Sequence, residues 1–309
     1  MVVRRDKKIM LKPDRSTLIA FMVVVIIGGS NAVAVRFSNL ELQPFWGAAS
    51  RFAATAGIFW IIVLSLRIPV PRGRNLSGAA LFGLFSVGMS YAFLYWGLQQ
   101  VPASLSMVVL ALVPLLTLFL ALVHGLERFR GRGLAGALIA LAGILIGVRE
   151  GLVMDVPLIS LLAIMAGAAC LSEGNVIFKL IPKSDPVATN AVAITTGASL
   201  HAGLSLLSGE EWKLPETSNT WLAITYLVLI GSVLLFYLYL FVLGRWTASA
   251  TSYSFLLFPV STIIIAAWLA GEVITASFIF GFVLVLAGVW LGALSGPKMA
   301  TAPEGKPGQ

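Results

Sequence analysis

The chain has 309 residues, of which 59% are hydrophobic and only 11% charged, and it carries a formal net charge of +8. Soluble domains run at about 45–50% apolar and about 25% charged, so one water-soluble core cannot hold this much apolar surface and lipid must be the solvent. The basic balance does not indicate nucleic acid, because Lys and Arg stand in short clusters between apolar runs, the pattern of membrane-protein loops.

A basic arm, residues 1–16, carries Arg4, Arg5, Lys7, Lys8, Lys12 and Arg15. A first apolar run over 17–36 follows. Ala32-Val33-Ala34 imitates a signal-peptide cleavage site, yet the repeat described below needs this run as a span. Nine more runs, near 44–66, 77–98, 102–124, 132–149, 157–180, 186–208, 218–243, 247–269 and 274–295, each approach the roughly 20 residues a helix needs to cross a bilayer. Pro71-Arg72-Gly73, Val101-Pro102, Ile181-Pro182 and Pro186 mark helix ends. Residues 296–309, rich in Pro and Gly, are expected to be a disordered tail. The fold class is therefore all-α integral membrane protein, with ten transmembrane helices.

Charge orients those spans. With the N-terminus inside, 17 Lys/Arg fall on the cytoplasmic side and only Arg36, Arg149 and Lys213 outside, a strong positive-inside bias that puts both termini in the cytoplasm. The chain also repeats itself. Shifted by 145 positions without a gap, residues 97–148 lie over 242–293 with 13 identities in 52 pairs, among them Pro114 with Pro259, Thr117 with Thr262 and Glu127 with Glu272. Gly143 and Gly147 likewise meet Gly288 and Gly292. Five spans per half is an odd number, so the second half (157–295) enters the membrane inverted relative to the first (17–149). Inverted repeats are the mark of secondary transporters that work by alternating access.

Chemistry inside the membrane is sparse. Ionisable groups there are costly and need a partner or a cavity, and the runs hold few: Arg51 in span two, Glu173 in span six, His201 in span seven. Arg51 reads either as an anchor or ion-pair member or as part of the substrate route. Glu173 either binds an ammonium group or a proton, or hydrogen-bonds neighbouring helices. His201, and His124 at the end of span four, read as packing residues. Pro114 and Pro259, mid-span at equivalent points, are expected to kink their helices around a central cavity. Tyr91, Tyr95, Tyr237 and Tyr239 lie deep on equivalent spans and suit a cavity wall or interhelical hydrogen bonds. Ser104, Met107, Val108, Ala111 and Leu115 of span four, with Ser249, Ser252, Tyr253 and Leu256 of span nine, trace small and apolar faces that could complete an apolar pocket. The Gly-x-x-x-Gly pairs should pack spans five and ten closely, on each other or on a second subunit, leaving monomer and homodimer both open. The single cysteine, Cys170, permits no intramolecular disulfide, and no enzyme or cofactor motif is present.

Gly29-Ser30-Asn31 with Arg36, Arg51-Phe52-Ala53, then Ser104, Pro114, Glu127 and Gly136 to Gly147, echoed by Ser249, Pro259, Glu272 and Gly281 to Gly292, resemble the EamA-type family of the drug/metabolite transporter superfamily. The resemblance covers about residues 17–295. One departure is Gly28, where that family often has tryptophan; it would widen or loosen that end of span one. The resemblance implies a bacterial inner-membrane exporter of small metabolites, not an enzyme, with a cavity lined by spans one, three, four, six, eight and nine. Organisation and deep tyrosines make it similar to the YddG-like aromatic amino acid exporters. That implies an apolar side chain against the phenols, with Asn31, Glu173 or Asn175 receiving the zwitterion. The expected partners are thus a small-molecule substrate and the bilayer. Another solute class (drug-like cation, nucleoside, sugar) and a non-transporting receptor or assembly subunit are the alternatives.

Overall fold

The computed structural model describes residues 13–101, 106, 109–127, 129, 131–148, 157–182, 184–270 and 276–294. Among them the secondary structure is helical, with no strand. Helix α1 (Arg15–Ser38) starts at Asp14, whose carboxylate accepts from the Thr17 amide. Helices α2 (Pro44–Ser65) and α7 (Pro186–Leu207) both carry proline in the first turn, where the missing N–H has no intrahelical partner to lose. Between and after them run α3 (Arg74–Gly97), α4 (Val113–Val123), α5 (Gly131–Val148), α6 (Leu158–Leu180) and α8 (Ser218–Arg245). The chain then forms α9 (Ala248–Ser252), α10 (Ser254–Ala270) and α11 (Ala276–Val289).

Five helical segments, Arg15–Val35, Pro44–Ser65, Arg74–Gly97, Leu158–Leu180 and Ser218–Arg245, are long and apolar enough to cross a membrane. Their outer faces are apolar too: Ile19, Met22 and Ile26 on α1, Ile61 and Leu64 on α2, and Leu158, Leu162 and Met165 on α6 are exposed. Contiguous apolar surface of this extent requires a non-aqueous neighbour.

Packing follows a pattern in which the two halves of the chain play matching parts. Helix α2 lies along α7 and α5 along α11; α1 packs on α8 and α10, and α6 packs on α3 and α4. The α5–α11 seam is built on backbone contact within one chain. A Cβ on Gly143 would sit 2.5 Å from the Gly281 carbonyl oxygen, and one on Gly288 would sit 2.4 Å from that of Gly136. Helices α3 and α8 each contain a π turn, Leu84–Met89 and Leu229–Leu234. Adding 145 to 84 and 89 gives 229 and 234, the same offset that aligns the sequence repeat.

The prolines depart from expectation. Ala111 and Leu112 form a turn and α4 begins at Val113, so Pro114 stands in the first turn of a new helix rather than within a continuous one. A proline ring clashes with the carbonyl four residues back, and restarting the helix removes that clash. Pro259 is instead absorbed inside α10, while its span breaks earlier, at Tyr253 between α9 and α10.

Candidate functional site

A central cavity of about 150 Å³ lies between the halves. Its wall is mostly aromatic and aliphatic: Phe82, Leu94, Leu110, Leu171, Phe236, Phe255 and Phe258, with Tyr91, Tyr95 and Tyr239. Polar groups enter from Asn31 on α1, Arg51 on α2, Ser86 on α3 and Asn190 on α7. Helices α1, α2, α3, α6, α7, α8 and α10 therefore all reach it, and Ser106 and Leu110 reach it from the segment ahead of α4.

Arg51 organises this site. It is 1% exposed, and its guanidinium is held by the π turn of α8: Nε donates to Ser232 Oγ at 2.8 Å and Nη2 to the Gly231 carbonyl at 2.9 Å. Nη1 donates to the Tyr95 hydroxyl at 3.4 Å, and the Phe52 and Tyr91 rings lie 5.1 and 5.8 Å from the guanidinium carbon. Gly231 is the point of closest approach, since a Cβ there would strike Asn31 Oδ1 at 2.1 Å. Asn31 Nδ2 in turn donates to the same Gly231 carbonyl at 2.9 Å. A π turn shifts the helical hydrogen-bond register and is common at functional sites; here it presents a carbonyl to two donors from the other half. The π turn of α3 has a counterpart contact: buried His201 on α7 meets the Val87 carbonyl at 3.2 Å through Nε2. No carboxylate of a described residue pairs with Arg51.

Of the residues expected at the site, Asn31, Arg51, Tyr91, Tyr95 and Tyr239 line the cavity. Asn175 stands directly behind it, accepting from the Tyr239 hydroxyl at 2.8 Å. Others lie elsewhere. Ala111 and Leu256 are core residues packed around α5, α10 and α11, and buried Ser252 donates to the Ser249 carbonyl. Tyr237 is 39% exposed and faces away from the core. Pro114 and Pro259 are off the wall, although Phe255 and Phe258 beside Pro259 are on it. Glu173 is also off the wall; its carboxylate sits 3.4 Å from His124 Nε2, with both side chains partly exposed. Ser104 and Val108 lie outside the described residues. Gly28 does not widen the site, because the Phe258 ring fills the space, 2.3 Å from where a Cβ would be. Sequence reasoning missed Ser86, Asn190 and the phenylalanines, which look like ordinary membrane-helix residues until the packing turns them inward.

Both ends of the bundle are tied across the halves. At the end carrying the 39–43 and 208–217 connections, Glu41 caps α8, accepting from the Glu216 and Thr217 amides and from the Thr217 and Thr220 hydroxyls. Those donors, the Thr217 hydroxyl foremost, pull the Glu41 carboxyl down to about 2. Reciprocally, Glu210 caps α2 through the Phe45 and Trp46 amides at 3.1 and 2.6 Å, and Trp46 stacks on Trp212. At the opposite end Arg245 meets Asp14 at 3.2 Å and Glu127 receives the amide and hydroxyl of Ser249, while within the second half Lys179 donates to the Trp246 carbonyl.

The profile of the EamA-like transporter family matches residues 15–149 and 158–293. Among curated proteins, the uncharacterized inner membrane transporter YedA of Escherichia coli K12 is 28% identical over 282 residues, covering 88% of this chain and 91% of the relative. A probable amino-acid metabolite efflux pump of Salmonella typhimurium is 25% identical over 281 residues, 87% and 92% of the two chains. A solved crystal structure superposes with a TM-score of 0.75 at 22% identity, covering 91% of this chain and 98% of that one, and so shares the fold. This multi-pass protein of the inner membrane belongs to the EamA-like transporter family.

Proposed function

We propose that this chain exports amino acids with apolar or aromatic side chains, by alternating access to the Arg51 cavity. Ten spans form two inverted five-helix halves with both termini in the cytoplasm. The asymmetry of 17 against three basic residues supports that orientation, and the matching of the π turns of α3 and α8 and of packing partners between halves supports the repeat. In this orientation the Glu41 and Glu210 contacts close the outer end and the Asp14–Arg245 and Glu127–Ser249 contacts close the inner end.

The observation that carries the reading is a fully buried guanidinium facing an apolar cavity without a carboxylate of its own among the described residues. A buried charge is costly unless paired, and a substrate carboxylate supplies the pair. The phenylalanines and tyrosines supply the surface for an apolar side chain. Family membership supports transport, and similarity to a probable amino-acid metabolite efflux pump of Salmonella typhimurium supports amino-acid-related efflux.

Proteoliposomes loaded with phenylalanine, methionine or threonine test this. Phenylalanine and methionine should leave faster than from protein-free liposomes, with threonine slower than either. Release equal to that from protein-free liposomes for all three would sink the amino acid reading.

A further inference from the structure

We propose that the cavity recognises its cargo by the carboxylate alone, so that apolar monocarboxylates without an amino group are carried and apolar amines without a carboxylate are not. This rests on the central-cavity reading above and narrows it.

The cavity is one-sided in charge. Its described wall contains one ionic side chain, Arg51, and no Asp or Glu; indeed no Asp or Glu is buried anywhere among the described residues. A guanidinium carries five N–H donors in a rigid fork. Three of those of Arg51 are engaged, on Nε, Nη1 and Nη2, by neutral acceptors. Two N–H groups, one on each terminal nitrogen, are left for an anion, and a carboxylate can take such a pair bidentately. A second donor points the same way. Asn190 is 2% exposed, lines the cavity and has no partner for its Nδ2 among the described residues. A buried, unsatisfied donor is a standing cost that a carboxylate oxygen would remove.

An ammonium group finds nothing equivalent. The acceptors offered to it are neutral: Asn31 Oδ1, buried and unpartnered, and hydroxyl oxygens such as those of Ser86 and Tyr239, whose protons go to the Phe82 carbonyl and to Asn175. The one acidic candidate in the spans, Glu173, is off the wall and faces His124. An α-ammonium entering the cavity loses its hydration and lies near a fixed positive charge, a like-charge penalty in a medium of low dielectric. Removing the amino group removes that penalty and leaves the carboxylate contacts intact. The phenylalanine-rich wall suits the remaining body of the molecule.

Three ligands with one ring separate the alternatives: L-phenylalanine, 3-phenylpropanoate and 2-phenylethylamine. Each is added outside proteoliposomes performing phenylalanine counterflow. The expected result is inhibition by 3-phenylpropanoate at concentrations no higher than those needed for phenylalanine, and at least about 10-fold weaker inhibition by 2-phenylethylamine. Inhibition by the amine, or by neither analogue, while phenylalanine itself exchanges, overturns the inference and leaves amino acid export standing. If phenylalanine does not exchange at all, the amino acid reading falls, and calorimetry of the three ligands on detergent-solubilised protein decides the inference separately. Binding of the acid without the amine, weakened in Arg51→Gln, supports it; binding of the amine alone, or of neither, overturns it.

Discussion

Arg51 is held by the π turn of α8 and faces the cavity proposed above to receive the cargo. Replacing it with glutamine removes the charge and the bidentate fork together. Phenylalanine affinity should fall at least about tenfold, or about 1.4 kcal/mol, measured by calorimetry in detergent, with Arg51→Lys retaining part of it as a point charge. Tyr239→Phe should leave Asn175 Oδ1 buried without its donor, at about 1–3 kcal/mol, visible as a lower melting temperature. Glu173→Gln should leave efflux rates unchanged, since that side chain faces His124 off the cavity wall. The sequence made Arg51, Asn31 and three of the four tyrosines legible, because a polar or ionic group at bilayer depth demands an explanation. It could not separate Tyr239 from Tyr237, two residues apart and so about 200° around the helix; packing alone buries one and exposes the other. Asn190 was illegible because α7 is dotted with Thr, Ser and Asn, and nothing in the pattern marks which of them faces inward.

At the scale of helices, the glycine spacing in spans five and ten announced close packing, and α5 meets α11 through it inside one chain. Gly143→Leu should therefore clash with the Gly281 backbone and cost about 1–3 kcal/mol as overpacking, read as a lowered melting temperature or loss of monodisperse protein. Gly57→Ala, with nothing within 4 Å of the added Cβ, is the unclashed control and should melt no lower than the wild type, since alanine favours a helix interior over glycine. The breaks at Ala111–Leu112 and Tyr253 and the π turns of α3 and α8 were not legible. Hydrophobic periodicity reports that a run is helical and apolar, but a one-residue slip in hydrogen-bond register leaves that pattern almost unchanged. Proline marked only the neighbourhood of a discontinuity, and its two copies resolve it differently: one opens a new helix and the other is carried within a helix.

For the molecule as a whole, the Glu41 and Glu210 contacts form a latch between the halves, at the end proposed above to be the outer one. Glu41 is held near 2 against an ordinary 4.5 by hydrogen bonds from Glu216 and Thr217 ahead of α8 and from Thr220 in its first turn. A carboxyl whose folded value is lowered stabilises the folded contact fully above its ordinary value and loses that stabilisation as pH falls toward the folded one. Protection of the Glu216 and Thr217 amides, measured by hydrogen exchange, should thus hold from neutral pH to about 5 and decline below about 4.5, whereas Glu41→Gln should lose much of it at every pH. The central claim is that cargo leaves through the middle of the bundle only when this latch parts. The most direct measurement places cysteines at Glu41 and Thr220, whose side chains lie 2.8 Å apart, in a chain whose Cys170 is replaced by alanine. A short reversible thiol crosslinker then joins them in phenylalanine-loaded proteoliposomes. Efflux should stop on crosslinking and return on reduction; efflux that continues through the closed latch would contradict the account.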